Sequence, residues 1–284
     1  MLLSLTQDLR LALRSLARAP LLTAVGILSL ALGIGANTAI FTLFDQVLLR
    51  LLPVEDPRSL LMVATRGSHS GSNRGRNALS YPMYKDYRER NAVFDGMLCR
   101  RGETVNVGFR GVTERASAEL ASGNYFEVLG VEPALGRVLM PEDERGPGAE
   151  PVIVLGHDFW RNRFSGDRDI IGQALSVNGH AMTVVGVAAP GFHGVSLGFQ
   201  PSLYVPVTMK KQITPSWDDL EDRRSRWVQV FARLSPRVTR ERAEASLQTL
   251  YKQIIAVEVE EPYFARTRTS TPSPRDTSMP SAFR

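Results

Sequence analysis

A predominantly apolar run extends from residue 21 to residue 44, LLTAVGILSLALGIGANTAIFTLF, with no charged side chain in it. At about 1.5 Å rise per residue, a helix over this stretch reaches ~36 Å, enough for a hydrocarbon core of ~30 Å. The pattern predicts a transmembrane helix over 21–44. The stretch is too long for the core of a cleaved leader, twenty residues precede it, and no small-x-small cleavage site follows. Within residues 1–20, Leu2, Leu5, Leu9, Leu13 and Leu16 share one helical face. Gln7, Arg10, Arg14 and Arg18 share the other, with Leu11 as the exception. That spacing predicts an amphipathic helix lying on the membrane surface, its arginines Arg10, Arg14 and Arg18 near anionic lipid headgroups. Arginines before the span and Asp45, Glu55 and Asp56 after it place the N-terminus inside and the rest of the chain outside.

Small residues recur every fourth position in the span. Ala31, Gly35 and Ala39 form one line, and Ser29, Gly33 and Asn37 another beside it. Such lines let helix backbones approach closely in lipid, so this face is expected to pack against other transmembrane helices. Asn37 would hydrogen-bond across that contact, or else face a transport path.

After residue 45 the periodicity shortens. Strand-like runs occur at Thr104–Arg110, Ala116–Ala121, Val152–Leu155, Ala174–Asn178, Met182–Ala188 and Trp227–Leu234. Short helices are expected from Ser80 to Asn91, Asn124 to Leu129 and His157 to Phe164. A longer one over 239–258 has Ala243, Leu247, Leu250, Ile254 and Val257 on one face. Residues 65–80 and 141–150 read as polar, turn-rich loops. Strands and helices mixed without βαβ regularity give an α+β fold for residues 45–265. Residues 266–284, rich in Ser, Thr, Pro and Arg, are expected to be disordered.

Net charge is +5 with a pI near 9.6. The arginines are scattered rather than gathered on one element, and one cluster already has a membrane explanation, so no nucleic-acid partner is expected. The single cysteine, Cys99, can form no internal disulfide and no Cys-rich metal site, and its apolar neighbours suggest a small buried hydrophobe.

Motifs that could carry chemistry are sparse. No Gly-Lys pair exists, so no phosphate loop is encoded and any ATP hydrolysis must come from a partner. Gly194-Val-Ser196-Leu-Gly198 matches the nucleophile-elbow pattern, but glycines and prolines surround it and all four histidines (His69, His157, His180, His193) precede it. Their spacing, even with Asp158, fits no compact metal motif, and His180 falls in an Asn-Gly-His turn. Phe159, Trp160 and Phe164 on one helix face, and Tyr125 with Phe126, read as core. The sequence therefore implies no catalytic residue, no cofactor and no metal.

Three segments carry a resemblance: LSLALGIGANTAIFTLFDQVLLRLLPVEDPRSLLMV within residues 19–63, ASGNYFEVLGVEPALGRVLMPEDE at 121–144, and PVIVLGHDFWRNRFSGDRDIIGQALSVNGHAMTVVGV at 151–187. With Tyr204-Val-Pro206, and over residues from about 5 to 262, the chain resembles the ABC-transporter permeases of the MacB and FtsX type, including the orphan permeases often found in acidobacteria. The resemblance implies an N-terminal inner-membrane helix and a periplasmic core domain. It also implies a separate or fused ABC ATPase, other permease subunits as in the family's dimers, and a periplasmic partner protein or substrate. It implies a non-enzymatic role in transport or mechanotransmission. The family continues into three further transmembrane helices, none of which follows here, and this suggests a truncated product. The competing expectation is a single-span periplasmic binding or sensor protein without transport activity.

Overall fold

The computed structural model describes Arg14 and residues 19–44, 54–65, 71–75, 77–196, 198–260 and 280–282. The chain divides into two compact units, residues 1–51 and 52–284.

In the first unit, helix α1 spans Pro20–Phe44, 25 residues. Proline at the first helical position costs nothing, because its missing N–H would be unpaired there anyway. Thr23 donates its amide and its hydroxyl to the Ala19 carbonyl, both at 3.0 Å, and so closes the first turn. Leu21, Ile27, Leu28, Leu30, Leu32 and Ile34 are all exposed.

The second unit is α+β. Its strands are β1 (Leu60–Thr65), β2 (Ala78–Leu79), β3 (Phe94–Phe109), β4 (Val112–Ala121), β5 (Pro133–Gly136), β6 (Val152–Leu155), β7 (Ala174–Val177), β8 (His180–Ala188), β9 (Leu203–Pro206), β10 (Val228–Leu234) and β11 (Pro280–Ala282). Its helices are α2 (Tyr81–Arg90), α3 (Tyr125–Leu129), α4 (His157–Phe164), α5 (Lys210–Ile213) and α6 (Arg240–Glu260). The sheet order is β11-β1-β10-β3-β4-β9-β6-β8-β5, with β2 on β10 and β7 joining β3 to β8.

That last pairing closes a ring. Following hydrogen-bonded neighbours from β3 through β4, β9, β6, β8 and β7 leads back to β3. Alternation explains why the ring holds. Val105 and Val107, Ala116, Ala118 and Leu120, Ile153 and Leu155, Leu175 and Val177, Met182 and Val184, and Leu203 and Val205 are all buried in one cluster, every second residue of each strand. Successive strand side chains point to opposite faces, so these positions fill the interior of a small barrel. A one-residue bulge sits between β6 and β8, where Ile153 faces Val184 but Val154 faces Gly186. It shifts the inward set of β8, so that the series Met182, Val184 resumes at Val187, which joins the same cluster. Gly186 itself lies against the Arg137 carbonyl, with room for nothing larger.

The rest of the sheet forms a wing. The first half of β3 (residues 94–100) pairs with β10, and its second half (100–109) pairs with β4. β3 therefore belongs to both parts. Helix α2 contributes Tyr81, Met83, Tyr84 and Tyr87 to the same buried cluster, and α6 contributes Ala243, Leu247, Leu250, Tyr251 and Ile254. Ser80 caps α2 by accepting from the Met83 amide at 3.3 Å, and Pro82 follows at the start of the helix.

Several expectations are met. The helices over Ser80–Asn91, 124–129, 157–164 and 239–258 are present. Cys99, Tyr125, Phe126, Trp160 and Phe164 are buried, and Phe159 packs at the edge of the core. Val257 belongs to α6, but its side chain lies outside the described ones. Other expectations need correction. β3 begins at Phe94, ten residues before the expected Thr104. Within the 65–80 loop, Ala78–Leu79 forms β2 and Asn73 bridges Arg226. In the stretch expected to be disordered, Pro280–Ala282 pairs antiparallel with β1, Val63 opposite Ala282; residues 261–279 lie outside the described ones.

Candidate functional site

The residues expected at the membrane are placed as follows. Arg14 is helical and exposed, while Arg10 and Arg18 lie outside the described residues. Ser29, Ala31, Gly33 and Gly35 lie on α1 and are exposed. A Cβ added at Gly33 or Gly35 would meet nothing within 4 Å among the described residues. Asn37 and Ala39 fall within the helix, but their side chains lie outside the described ones. Among the described residues no helix is long and apolar enough to cross a membrane; the described side chains of α1 end at Gly35.

In the second unit, buried charges concentrate at three points that the sequence pattern does not announce. The first is Arg100, where β3 passes from wing to barrel, its backbone opposite Gln229 of β10 and Ala121 of β4. Its guanidinium donates to Glu119 Oε2 at 2.9 Å, to the Gln229 side-chain carbonyl at 2.7 Å and to Ser196 Oγ at 2.6 Å. Glu119 is fully buried and also accepts from the Tyr125 hydroxyl at 2.6 Å. Burial and the adjacent Glu119 carboxylate push the Tyr125 phenol well above its ordinary pKa, so it stays a donor. One arginine thus ties β4, β10 and the 189–199 loop to the shared strand.

This arrangement disposes of the nucleophile-elbow reading of Ser196. The sequence around it forms neither strand nor helix, and its hydroxyl oxygen is occupied by a guanidinium rather than an imidazole. His157 and His193 lie 3.6 and 3.8 Å from opposite oxygens of the exposed Asp158, and no group of three or more ligating side chains forms a metal shell among the described residues.

The second point is Glu144, in the first half of the charged loop 141–150. It accepts from the Tyr81 hydroxyl at 2.7 Å, Arg88 at 3.0 Å and the Gly123 amide at 2.9 Å, tying that loop to α2 and to the start of α3. One residue earlier, Asp143 takes a two-pronged bond from Arg137 at 2.6 and 2.9 Å. The third is Lys210, whose ammonium is fully buried. It sits over the Trp217 ring, pairs with Asp219 at 2.9 Å and donates to Thr214 Oγ1 at 3.1 Å and to the Trp217 carbonyl. It pins the 214–222 loop to the turn at 207–213.

This α+β domain has counterparts among solved structures. The periplasmic region of MacB from Actinobacillus actinomycetemcomitans superimposes with a TM-score of 0.53 at 14% identity, covering 77% of this chain and 98% of that one. The extracellular domain of the noncanonic ABC-type transporter YknZ from Gram-positive bacteria gives a TM-score of 0.51 at 10% identity, over 71% and 96%. These likenesses establish the fold. No curated protein matches the chain by sequence. The family model of the MacB-like periplasmic core domain matches residues 23–250, and the chain belongs to that family.

Proposed function

We propose that this chain is a permease component of an ABC-type transport or mechanotransmission system, held in the inner membrane by α1 with its core domain in the periplasm. The observation that carries the reading is the family match, which begins at residue 23 inside α1 and runs through the core domain. The helix supports it: 25 residues at about 1.5 Å each reach ~37 Å, with no charged side chain and with its described leucines and isoleucines exposed. Arg10, Arg14 and Arg18 would hold the N-terminus at the cytoplasmic surface among lipid headgroups. The lines Ser29-Gly33-Asn37 and Ala31-Gly35-Ala39 would seat α1 against spans of other permease subunits. ATP hydrolysis would be supplied by a separate ATPase. The protein's own contribution would be mechanical and non-enzymatic, the braced core passing motion to a substrate or partner outside.

The test is fractionation of cells expressing the full chain, followed by protease treatment of spheroplasts. Recovery in the inner-membrane fraction with the core domain cleaved from outside supports the proposal. Recovery in the cytosol, or a core domain protected from external protease, overturns it. Co-purification with an ATPase in detergent separates the permease reading from that of a lone binding protein.

A further inference from the structure

The 214–222 loop, the Lys210 turn and the tip of the 145–150 loop border an open cleft of about 560 Å³. Its floor is the turn carrying Thr208 and Gln212. Thr208 is 3% exposed, and its hydroxyl has no partner among the described residues; nor does the side-chain carbonyl of Gln212. Native interiors seldom leave such groups unpaired, since each costs ~1–3 kcal/mol. Gly148 closes one wall. Its φ is +69°, a backbone conformation that favours glycine, and it packs against the Gln212 amide.

The rim is acidic. Asp218, Asp219, Glu221 and Asp222 line it against a single lining cation, Lys211. Two of these acids are already engaged, Asp219 by Lys210 and Glu221 by Lys85 at 3.1 Å. Asp222 caps the Arg224 amide at 2.8 Å with one oxygen. Asp218, whose charge also acts on Lys210, and Asp222 complete the lining. Negative charge therefore outweighs positive on the rim, the floor adds the unpaired acceptors Thr208 Oγ1 and Gln212 Oε1, and no metal shell is formed among the described residues. A ligand matching this cleft brings N–H donors and positive charge together.

We infer that the cleft between the 214–222 loop and the Thr208–Gln212 turn binds an ammonium or guanidinium group, presented by a free polyamine or by a basic side chain of a peptide. The inference does not depend on whether α1 spans a bilayer.

The experiment titrates the full chain, in detergent micelles, with spermidine and separately with capped Ala-Lys-Ala, read by calorimetry and by the fluorescence of Trp217 next to the cleft. Saturable binding is expected, weakened about tenfold in Thr208→Val and in Asp218→Asn, as for loss of one hydrogen bond to a charged group. Binding is expected to be unchanged in Asp158→Asn, which removes an exposed charge elsewhere. Tighter binding of spermidine identifies a free polyamine, and tighter binding of the tripeptide identifies a peptide side chain. Thr208→Val deletes an unpaired hydroxyl and should melt no lower than the parent. If it fails to fold, Asp218→Asn, a loop substitution, decides alone. The inference is overturned by absence of saturation up to about 10 mM of either probe, by equal loss in Asp158→Asn, or by undiminished binding in both cleft variants.

Discussion

Removing Arg100 tests whether the barrel and the wing are held together by one buried charge. Its guanidinium lies between three acceptors, Glu119, Gln229 and Ser196, at 2.6–2.9 Å. In Arg100→Met the chain volume is largely kept, but Glu119 is left fully buried with only the Tyr125 hydroxyl as partner. Deleting one partner of a buried ion pair costs ~3–5 kcal/mol, because an uncompensated charge remains in the interior. For a domain of about 150–250 residues each kcal/mol moves Tm by ~2–4 °C, so the variant should melt roughly 6–20 °C lower. The attribution is checked by the triple variant Arg100→Met/Glu119→Leu/Tyr125→Phe, which removes the whole network. Because burying an ion pair is itself costly, the apolar replacement should recover most of the loss. The assay is thermal unfolding of the full chain in detergent, followed by near-ultraviolet circular dichroism. A single variant within ~2 °C of the parent, an effect worth less than 1 kcal/mol, would refute the argument. So would a triple variant whose loss equals the sum of its parts, since then the three side chains would not act as one unit.

Lys210 gives a pH dependence of definite sign. Burial, the largest cause, holds its pKa below the ordinary 10.5 against the raising effect of Asp219. A lysine depressed on folding binds fewer protons folded than unfolded, so stability rises as pH climbs from the folded pKa towards 10.5 and is level below that window. The difference between parent and Lys210→Met urea midpoints should follow that rise; a difference flat through pH 10.5 contradicts it. Gly186→Ala should cost about 3 kcal/mol, since the new methyl would stand 1.8 Å from the Arg137 carbonyl where β8 turns past β5, and both elements must shift. Chemical denaturation measures it, and an unchanged midpoint would mean the crossing is looser than described. Gly35→Ile should leave the core domain's melting unaltered but weaken association in lipid, read by crosslinking in native membranes; undiminished crosslinking would remove the small-residue face as a packing surface.

How much of this was legible in advance depended on the range of the signal. The periodicity of α6 and the cap of α2 are local, and both were readable: Ala243, Leu247, Leu250 and Ile254 face the core, and Ser80 caps where Ser-x-Pro implied. The inward sets of β4, β6 and β7 were readable for the same reason. The start of β3 was not, because Asp95, Gly96, Arg100, Arg101, Gly102 and Glu103 interrupt the apolar pattern. Those positions are polar because β3 serves two partners, and Arg100 finds its counter-charge in Glu119, nineteen residues on, and further acceptors in Gln229 and Ser196, far away in sequence. Likewise the run PEDERGPGAE looks like solvent-facing charge. Asp143 and Glu144 are nonetheless largely buried: Arg137, six residues back, pairs with Asp143, while Arg88 and Tyr81 reach Glu144 from a helix that sequence order does not bring near.

The same reasoning explains where function can reside in such a domain. A part that passes force must not deform along the path, and buried ion pairs are well suited to that. Each is costly to break and directional, and each here fastens a loop: Arg100 holds the 189–199 loop and Glu144 holds α2 across long stretches of sequence, while Lys210 holds the 214–222 loop that follows it. Apolar packing alone would hold the barrel interior, where Val105, Leu120, Ile153, Met182 and Val205 meet without a charge between them. It would fix the loops less well, since loop residues have too few apolar neighbours to define one position. If the core were only a passive binding surface, weakening these three fastenings would lower stability alone. If it transmits motion, variants that keep the barrel folded but free one loop should uncouple the outside domain from nucleotide hydrolysis well below their melting temperature, and Lys210→Met is the variant placed to show the difference.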